Sequence, residues 1–566
     1  MLTGRGTVSM ELNIADICDA LAGAYPEREC LIFRDRRLTW ADVADRTNHL
    51  AAIFGAAGLG RTRPFAGADG WESTQDHVAL YLHNGNEYLE GMLGAYKAVC
   101  APVNVNYRYR ASELAYVLRD SGAKAIVFHS AFAPLLAEVL PDLPSLTLLL
   151  QVVDSSGNPL LADVDGRRAR WYEEALATAA PDARPLGERS GDDLYLCYTG
   201  GTTGMPKGVL WRQADFVVSA LGVRRSDGSD YESIDEIVTA AERSSLRALP
   251  APPLMHGAAH WNAISCWIAG GTVIIQDHPE HLDPADIWST LERHRATSLL
   301  IVGDSFARPL LDELARRADA GAPYDVSSMR HLLSGGAVLS PHVKAELLDA
   351  IPGLTIVDVL GSSESGRQGV ASTRTAEDSA AGFVRSSTAR VVREDLSGAL
   401  EPGTGEVGWL AQTGRVPLGY LGDPDKTART FPIIDGERHA VAGDRARLAA
   451  DGSIELLGRD SVCINTGGEK VFAEEVEVAL TSHPDVFDAV VCGRPSERWG
   501  QEVVGVVALR DHVEACSVVE QSIIEHCKNR LASFKAPKDI VFVDRVVRSP
   551  SGKADYRWAA TQISPT

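Results

Sequence analysis

The chain has 566 residues, 45% hydrophobic and 23% charged, a balance that fits a globular protein and excludes a disordered or fibrous one. No run of about 18 apolar residues occurs, so no membrane-spanning helix is expected. With 55 Lys+Arg against 76 Asp+Glu, the net charge of −21 repels phosphate backbones and anionic lipid at long range and disfavours nucleic-acid binding.

At roughly 150 residues per domain the length suggests three or four units, or several fused into one body. The first residues, Met1 to Ala20, carry neither an apolar stretch nor a small-residue cleavage site, so no export signal is read and a cytoplasmic location is expected. The nine cysteines are scattered, odd in number and without a CxxC pair, which points to reduced structural thiols.

In chain order, short apolar strands are expected at His77–Leu82, Ala125–Phe128, Leu194–Tyr198, Thr272–Ile275, Leu299–Val302, His331–Leu333 and Thr355–Leu360. Helices fall between them. Asp283-Pro284 reads as an N-cap followed by proline at the first helical position, with Ile287, Leu291 and His294 at helical spacing. Ser340-Pro341 repeats the pattern before Val343, Leu347 and Leu348. The charge-dense Arg224–Arg247 stretch reads as a solvated insertion. Strand–helix alternation implies an α/β fold whose mainly parallel sheets are covered by helices. After Ser397 the turn dipeptides Ser397-Gly398, Pro402-Gly403, Asp435-Gly436 and Asp451-Gly452 mark a β-rich subdomain. A compact α+β pattern follows Gly458, giving a large N-terminal domain over 1–457 and a small C-terminal domain over 458–566.

The strongest chemical signal is Thr199-Gly200-Gly201-Thr202-Thr203-Gly204-Met205-Pro206-Lys207, directly after a strand. Glycines let backbone N–H groups approach an anion, the threonines add hydroxyls and Lys207 adds positive charge: a phosphate cradle. It lacks the Gly-Lys-Ser/Thr ending of a Walker loop.

This loop resembles the signature of the AMP-forming acyl-CoA synthetases, within the adenylating superfamily that also holds luciferases and peptide-synthetase adenylation domains. Further segments resemble that family in order along nearly the whole chain, from about Asn13 to Trp558. Pro253-Leu254-Met255-His256-Gly257 looks like the segment bordering the acyl pocket. Ser334-Gly335-Gly336-Ala337 looks like the loop along the adenine. Gly361-Ser362-Ser363-Glu364 looks like the segment whose Glu holds Mg²⁺ on the ATP phosphates, with Ser363 in place of the usual Thr. The resemblance puts Glu364 and Thr202 at the metal, Asp444 and Arg459 at the ribose, and Ser461 at the hinge. It puts Gly467, Gly468 and Lys470 in the coenzyme A tunnel after the small domain has rotated. Lys553, in Ser549-Pro550-Ser551-Gly552-Lys553, resembles the catalytic Lys, with Lys207 and Glu364 completing the catalytic set.

YTGGTTGMPKGVLWR, GSSESG, INTGGEKV and SPSGKADYRWA look closer still to actinobacterial synthetases acting on steroid side-chain or terpenoid acids. The resemblance implies ATP, Mg²⁺ and coenzyme A as cofactors, a carboxylic acid substrate, a mobile small domain and an acyl-AMP intermediate. The small residues Gly257, Ala258, Ala259, Gly335, Gly336, Ala337 and Gly361 favour a bulky hydrophobic acid, either a polycyclic terpenoid or steroid or a long-chain fatty acid. Three alternatives stay open: an acyl-AMP ligase that loads a carrier protein, a luciferase-type oxygenase, and a non-catalytic nucleotide-binding protein. Homodimerisation stays open too.

Overall fold

The computed structural model describes residues 11–179, 187–199, 205–375, 377–378, 382–466, 469–496, 498–549 and 552–563. Gly200 to Gly204, Gly467, Gly468, Pro550 and Ser551 lie outside the described residues.

Two helix-covered sheets form the larger part. The first holds five parallel strands in the order Ala101–Asn104, His77–Tyr81, Ala125–His129, Leu148–Val152, Ala169–Trp171. The second has nine strands. Its parallel centre runs through Thr355–Ser362, His331–Gly335, Ser298–Ile301, Arg247–Pro250, Thr272–Ile275 and Glu29–Phe33, with antiparallel strands at both edges. His77–Tyr81, Ala125–His129, Thr272–Ile275 and Ser298–Ile301 are buried along their whole length, as continuous apolar strands covered on both faces must be. Trp40, Trp211, Trp267 and Trp288 fill the space between layers.

The expected strands are present, several a residue longer or shifted. The first strand of the glycine-rich region extends to Thr199 and pairs antiparallel with Lys207–Arg212, so Thr199 lies opposite Lys207. Asp283 caps the Pro284–His294 helix by accepting from the N–H groups of Ala285 and Asp286. Ser340 precedes its helix but does not cap it. Its hydroxyl donates instead to Asp304 Oδ2 at 2.7 Å, because that carboxylate, in the first turn of the neighbouring helix, is a stronger acceptor.

The β-rich region is a four-stranded antiparallel sheet, Ala389–Val392, Gly408–Gln412, Ala440–Leu448 and Ile454–Arg459. A separate two-stranded hairpin turns at Asp435-Gly436, where both residues have positive φ, 51° and 79°, as the favoured two-residue turn requires. Beyond the single turn Asp460–Val462 a new sheet begins at Ile464–Thr466, built mainly on the Val486–Ser496 and Gly500–Leu509 hairpin. It has its own apolar core of Val476, Leu480, Val491, Val503, Val507 and Ile523.

Among the described residues no helix is long and apolar enough to cross a membrane. One buried ion pair steers the second sheet toward the site. Lys344 Nζ meets Asp358 Oδ2 at 2.5 Å, and Asp358 lies on the strand that delivers Gly361 to Glu364. Lys344→Met leaves that carboxylate buried without its partner and is expected to cost about 3 kcal/mol of stability, read as a lower denaturant midpoint.

Candidate active site

Thr199 and Glu364 lie 165 positions apart in the chain, yet the Thr199 hydroxyl is 3.5 Å from Glu364 Oε1. The Tyr420 hydroxyl donates to the same oxygen at 3.1 Å. Trp211 Nε1 holds the loop from below by donating to the Ser363 carbonyl at 2.8 Å, and the Ser362 and Ser365 hydroxyls meet at 3.0 Å. Gly361 is obligatory in this loop, since a Cβ there would lie 2.2 Å from the Gly366 carbonyl oxygen.

Lys207 ion-pairs with Asp423 at 3.6 Å. Lys426 sits 4.1 Å over the Tyr420 ring. Burial pushes the Lys426 ammonium below the usual lysine range, and Glu364 and Asp423 oppose that. Two lysines thus flank one carboxylate at the mouth of the glycine-rich loop. Asn104 braces the other side: its amide donates to the carbonyls of Tyr198 and Met255 at 2.9 and 2.8 Å and accepts from the Tyr198 N–H.

Asp444 and Arg459 face each other across adjacent strands, with Arg459 Nε donating to Asp444 Oδ1 at 3.1 Å. Asp444 above all holds the Arg459 guanidinium more firmly protonated.

Lys553 enters this space from the C-terminal lobe. Protein surrounds it, yet its side chain stays accessible, so it lines a cavity rather than packing into a core. A Cβ at Gly336, where φ is +86°, would lie 3.5 Å from Lys553 Cε. Burial and then the Arg459 charge push its ammonium below the ordinary lysine range, against Glu364 and Asp444. Described residues just before it in the chain are tied down. Arg548 makes a two-bond pair with Asp488 at 2.8 and 2.6 Å and donates to the Gly552 carbonyl at 3.2 Å. Gly552, at φ +75°, leaves no room for a Cβ, which would fall 2.5 Å from Ser305 Oγ on the helix after the Ser298–Ile301 strand.

His256 is the N-terminal flank of the Gly257–Ile268 helix. Asn84 holds its loop by donating to the Pro252 carbonyl and accepting from the Leu254 N–H. His256 Nε2 is buried and has no hydrogen-bond partner. Burial first, then the Lys553 charge, brings its pKa down to about 3. His260, one turn on, comes down to about 4 through burial.

Thr199, Glu364, Asp444, Arg459, Gly336, His256 and Lys553 therefore surround one cavity. Gly335, Ala337 and Gly257 lie next to it in the chain, and a Cβ at Gly335 would crowd Val359 O at 3.2 Å. Lys470 is elsewhere: it pairs with Glu394 at 3.3 Å and approaches Asp460 at 3.9 Å, at the junction of the lobes. Tyr420, Asn104, Lys426 and Asp423 lie outside every motif quoted from the sequence, and Trp211 lies inside YTGGTTGMPKGVLWR with no role assigned to it. Among the described residues no group of three or more His, Cys, Asp or Glu could cage a metal. A single carboxylate with a neighbouring hydroxyl fits Mg²⁺ that arrives on phosphates and takes most of its ligands from them.

A hydroxyl–carboxylate pair at Thr199 and Glu364, an Asp–Arg pair and an ammonium brought in from the C-terminal lobe form an arrangement suited to a nucleotide-using enzyme. The AMP-binding enzyme model matches residues 18–420 and the AMP-binding enzyme C-terminal domain model residues 475–553, and the chain belongs to this family. It is 50% identical over 552 residues to the medium-chain acyl-CoA ligase Mig of Mycobacterium avium, covering 97% of this chain and 98% of that protein. It is 38% identical to the 3-oxocholest-4-en-26-oate–CoA ligase of Rhodococcus rhodochrous, covering 98% and 96%. The fold matches the crystal structure of the anthranilate CoA ligase AuaEII in complex with anthranoyl-AMP, with a TM-score of 0.77 at 21% identity over 97% of each chain.

The depressed histidines set a pH expectation. Their folded pKa values lie below the unfolded value of about 6.5, so the unfolded chain binds more protons between those limits. Stability is then complete above pH 6.5 and falls as pH drops toward 4. Equilibrium unfolding at stepped pH should show this loss, and His256→Gln should lessen it.

Proposed function

We propose that this chain is an acid–thiol ligase that couples a hydrophobic carboxylic acid to coenzyme A at the expense of ATP. The observation that carries this reading is the convergence of Lys553 with Glu364, Asp444 and Arg459 in one cavity. In the first half-reaction a carboxylate oxygen attacks the α-phosphorus of ATP, and the bond to diphosphate breaks. Lys553 places positive charge between the two reacting anions and orients the acid. Asp444 and Arg459 hold the ribose. Thr199 to Lys207, helped by Lys426, grip the leaving phosphates, with Glu364 and Thr202 on the metal side. Bound Mg²⁺ supplies charge neutralisation on the phosphates. Gly335, Gly336 and Ala337 lie along the adenine, with Gly361, Ser362 and Ser363 closing that side.

In the second half-reaction the thiol sulfur attacks the acyl carbon, the carbon–oxygen bond to AMP breaks, and the thiol proton passes to solvent. A site that serves both steps in turn needs its second lobe to turn. We place the lobe boundary near Gly458–Asp460, with 1–457 and 458–566 as the two bodies. Turning withdraws Lys553 and brings Gly467, Gly468 and Lys470 to line the coenzyme A path. His256 stays neutral at working pH and borders the acyl group together with Gly257. The relatives named above act on medium-chain and steroid acids, which supports a medium-to-long-chain or polycyclic acid here.

Two measurements test the reading. Lys553→Ala should lose about 3 kcal/mol of transition-state stabilisation in acyl-AMP formation. It should barely change thioester formation from pre-made acyl-AMP; equal loss in both steps refutes the assignment. Hydroxylamine trapping across acetate, palmitate and a polycyclic acid should show acetate as the poorest. Free coenzyme A should then sustain turnover, which a ligase loading only a carrier protein would not show.

A further inference from the structure

The Gly257–Ile268 helix is packed into the apolar core on most of its surface, yet Gly257, Ala258, Trp261, Asn262 and Ser265 keep accessible surface. Their spacing draws one stripe along one face of the helix. It starts beside His256 and Lys553 and runs about 12 Å to Ser265 at 1.5 Å per residue. An accessible stripe on an otherwise enclosed helix leaves one open face that leads away from the reacting centre toward Ser265.

At the far end of that stripe, next to Ser265, stands a cation with no carboxylate partner among the described residues. Arg367 stands on the Gly366–Thr373 strand, its backbone paired with Gly361. Its guanidinium reaches the Leu221 carbonyl at 3.3 Å, the same oxygen that accepts from Ser265 Oγ at 3.3 Å. Its Nε is buried and has no acceptor, and among the described residues no carboxylate pairs with it. Arg224, whose charge acts on Arg367, already pairs with Asp230 at 3.1 Å, and Arg415 shares that acid at 2.7 Å. Burial, and then the Arg224 charge, push the Arg367 guanidinium below its ordinary value. Asn262, one turn before Ser265, also has its amide oxygen buried without a donor. Gly222, at φ +72°, clears the space: a Cβ there would lie 2.7 Å from Arg367 Nη1.

A half-buried guanidinium whose buried Nε has no acceptor and which faces no anion is costly to keep. Apolar acids alone give no reason to keep it beside this helix face. We propose that Arg367 is a specificity-determining residue that takes a hydrogen-bond-accepting oxygen, keto or carboxylate, carried by the acid at the end remote from its reacting carboxylate. This rests on the ligase reading above and narrows it: the preferred acid is oxygenated at its far end. The planar fork of arginine suits such an oxygen, and lysine reproduces its charge but not its geometry.

The test compares three acids of one length, dodecanoate, its penultimate-keto derivative and dodecanedioate, by diphosphate release with the full-length enzyme. The expected result is a kcat/KM at least ten-fold higher for one of the oxygenated acids than for dodecanoate. Which one wins tells whether a carbonyl or a carboxylate is read. Arg367→Met should abolish that ratio chiefly through KM for the oxygenated acid, and Arg367→Lys should restore only part of it. A wild-type enzyme that treats dodecanoate as well as both derivatives overturns the proposal and leaves the ligase reading intact. So does an Arg367→Met variant that loses activity equally on all three. Should that variant fail to fold, the wild-type comparison decides alone. Absence of diphosphate with every acid removes the ligase reading and this proposal with it.

Discussion

Everything at the site depends on one ammonium reaching it from outside. Lys553 belongs to a lobe with its own sheet and core, while the groups it meets belong to the larger body. Described residues just before it in the chain anchor that lobe: Arg548 pairs with Asp488, and Gly552 seats against the start of the Gly303–Asp319 helix. Glu477, pushed up to about 8 by burial, lies in the same lobe, within range of the Arg548 charge and hydrogen-bonded to the Tyr556 hydroxyl.

The larger body answers with complementary order. Strand ends deliver Thr199, Glu364 and Gly336, and antiparallel strands deliver Asp444 and Arg459. In parallel sheets such edges are where ligands collect, because loops there are free of the packing that fixes the strands. The supporting contacts come from outside those loops. Trp211 and Tyr420 hold the reactive segments by one hydrogen bond each and Asn104 by three, acting on backbone groups or a carboxylate rather than on the space a substrate would fill.

Much of this was legible in the chain itself. Strands buried on both faces announce themselves as apolar runs, and Asp283-Pro284 announces a helix start. The glycine and hydroxyl residues of the phosphate loop state their chemistry by type alone. What could not be read was anything resting on one residue from each of two distant segments. Tyr420 is an ordinary aromatic until the fold sets it beside Glu364. Arg367 reads as a solvated charge until its neighbours are known. Ser340 looks like a cap, and a carboxylate from the adjacent helix captures its hydroxyl instead. Local pattern describes backbone preference; it carries no record of which remote group will compete for a hydrogen bond.

The junction of the lobes is laced with charge. Arg445, buried and 3.5 Å over the Trp409 ring, bonds Glu394 and Asp460 at 2.8 and 2.9 Å, and Lys470 adds a third tie to Glu394. Glu394 remains largely open to water, so dissolved ions compete for it within a Debye length of about 8 Å at physiological ionic strength. The electrolyte around the molecule therefore acts on the ties between the lobes, and on the two-step reading proposed above, salt becomes a quiet setting on how readily one half of the work gives way to the other.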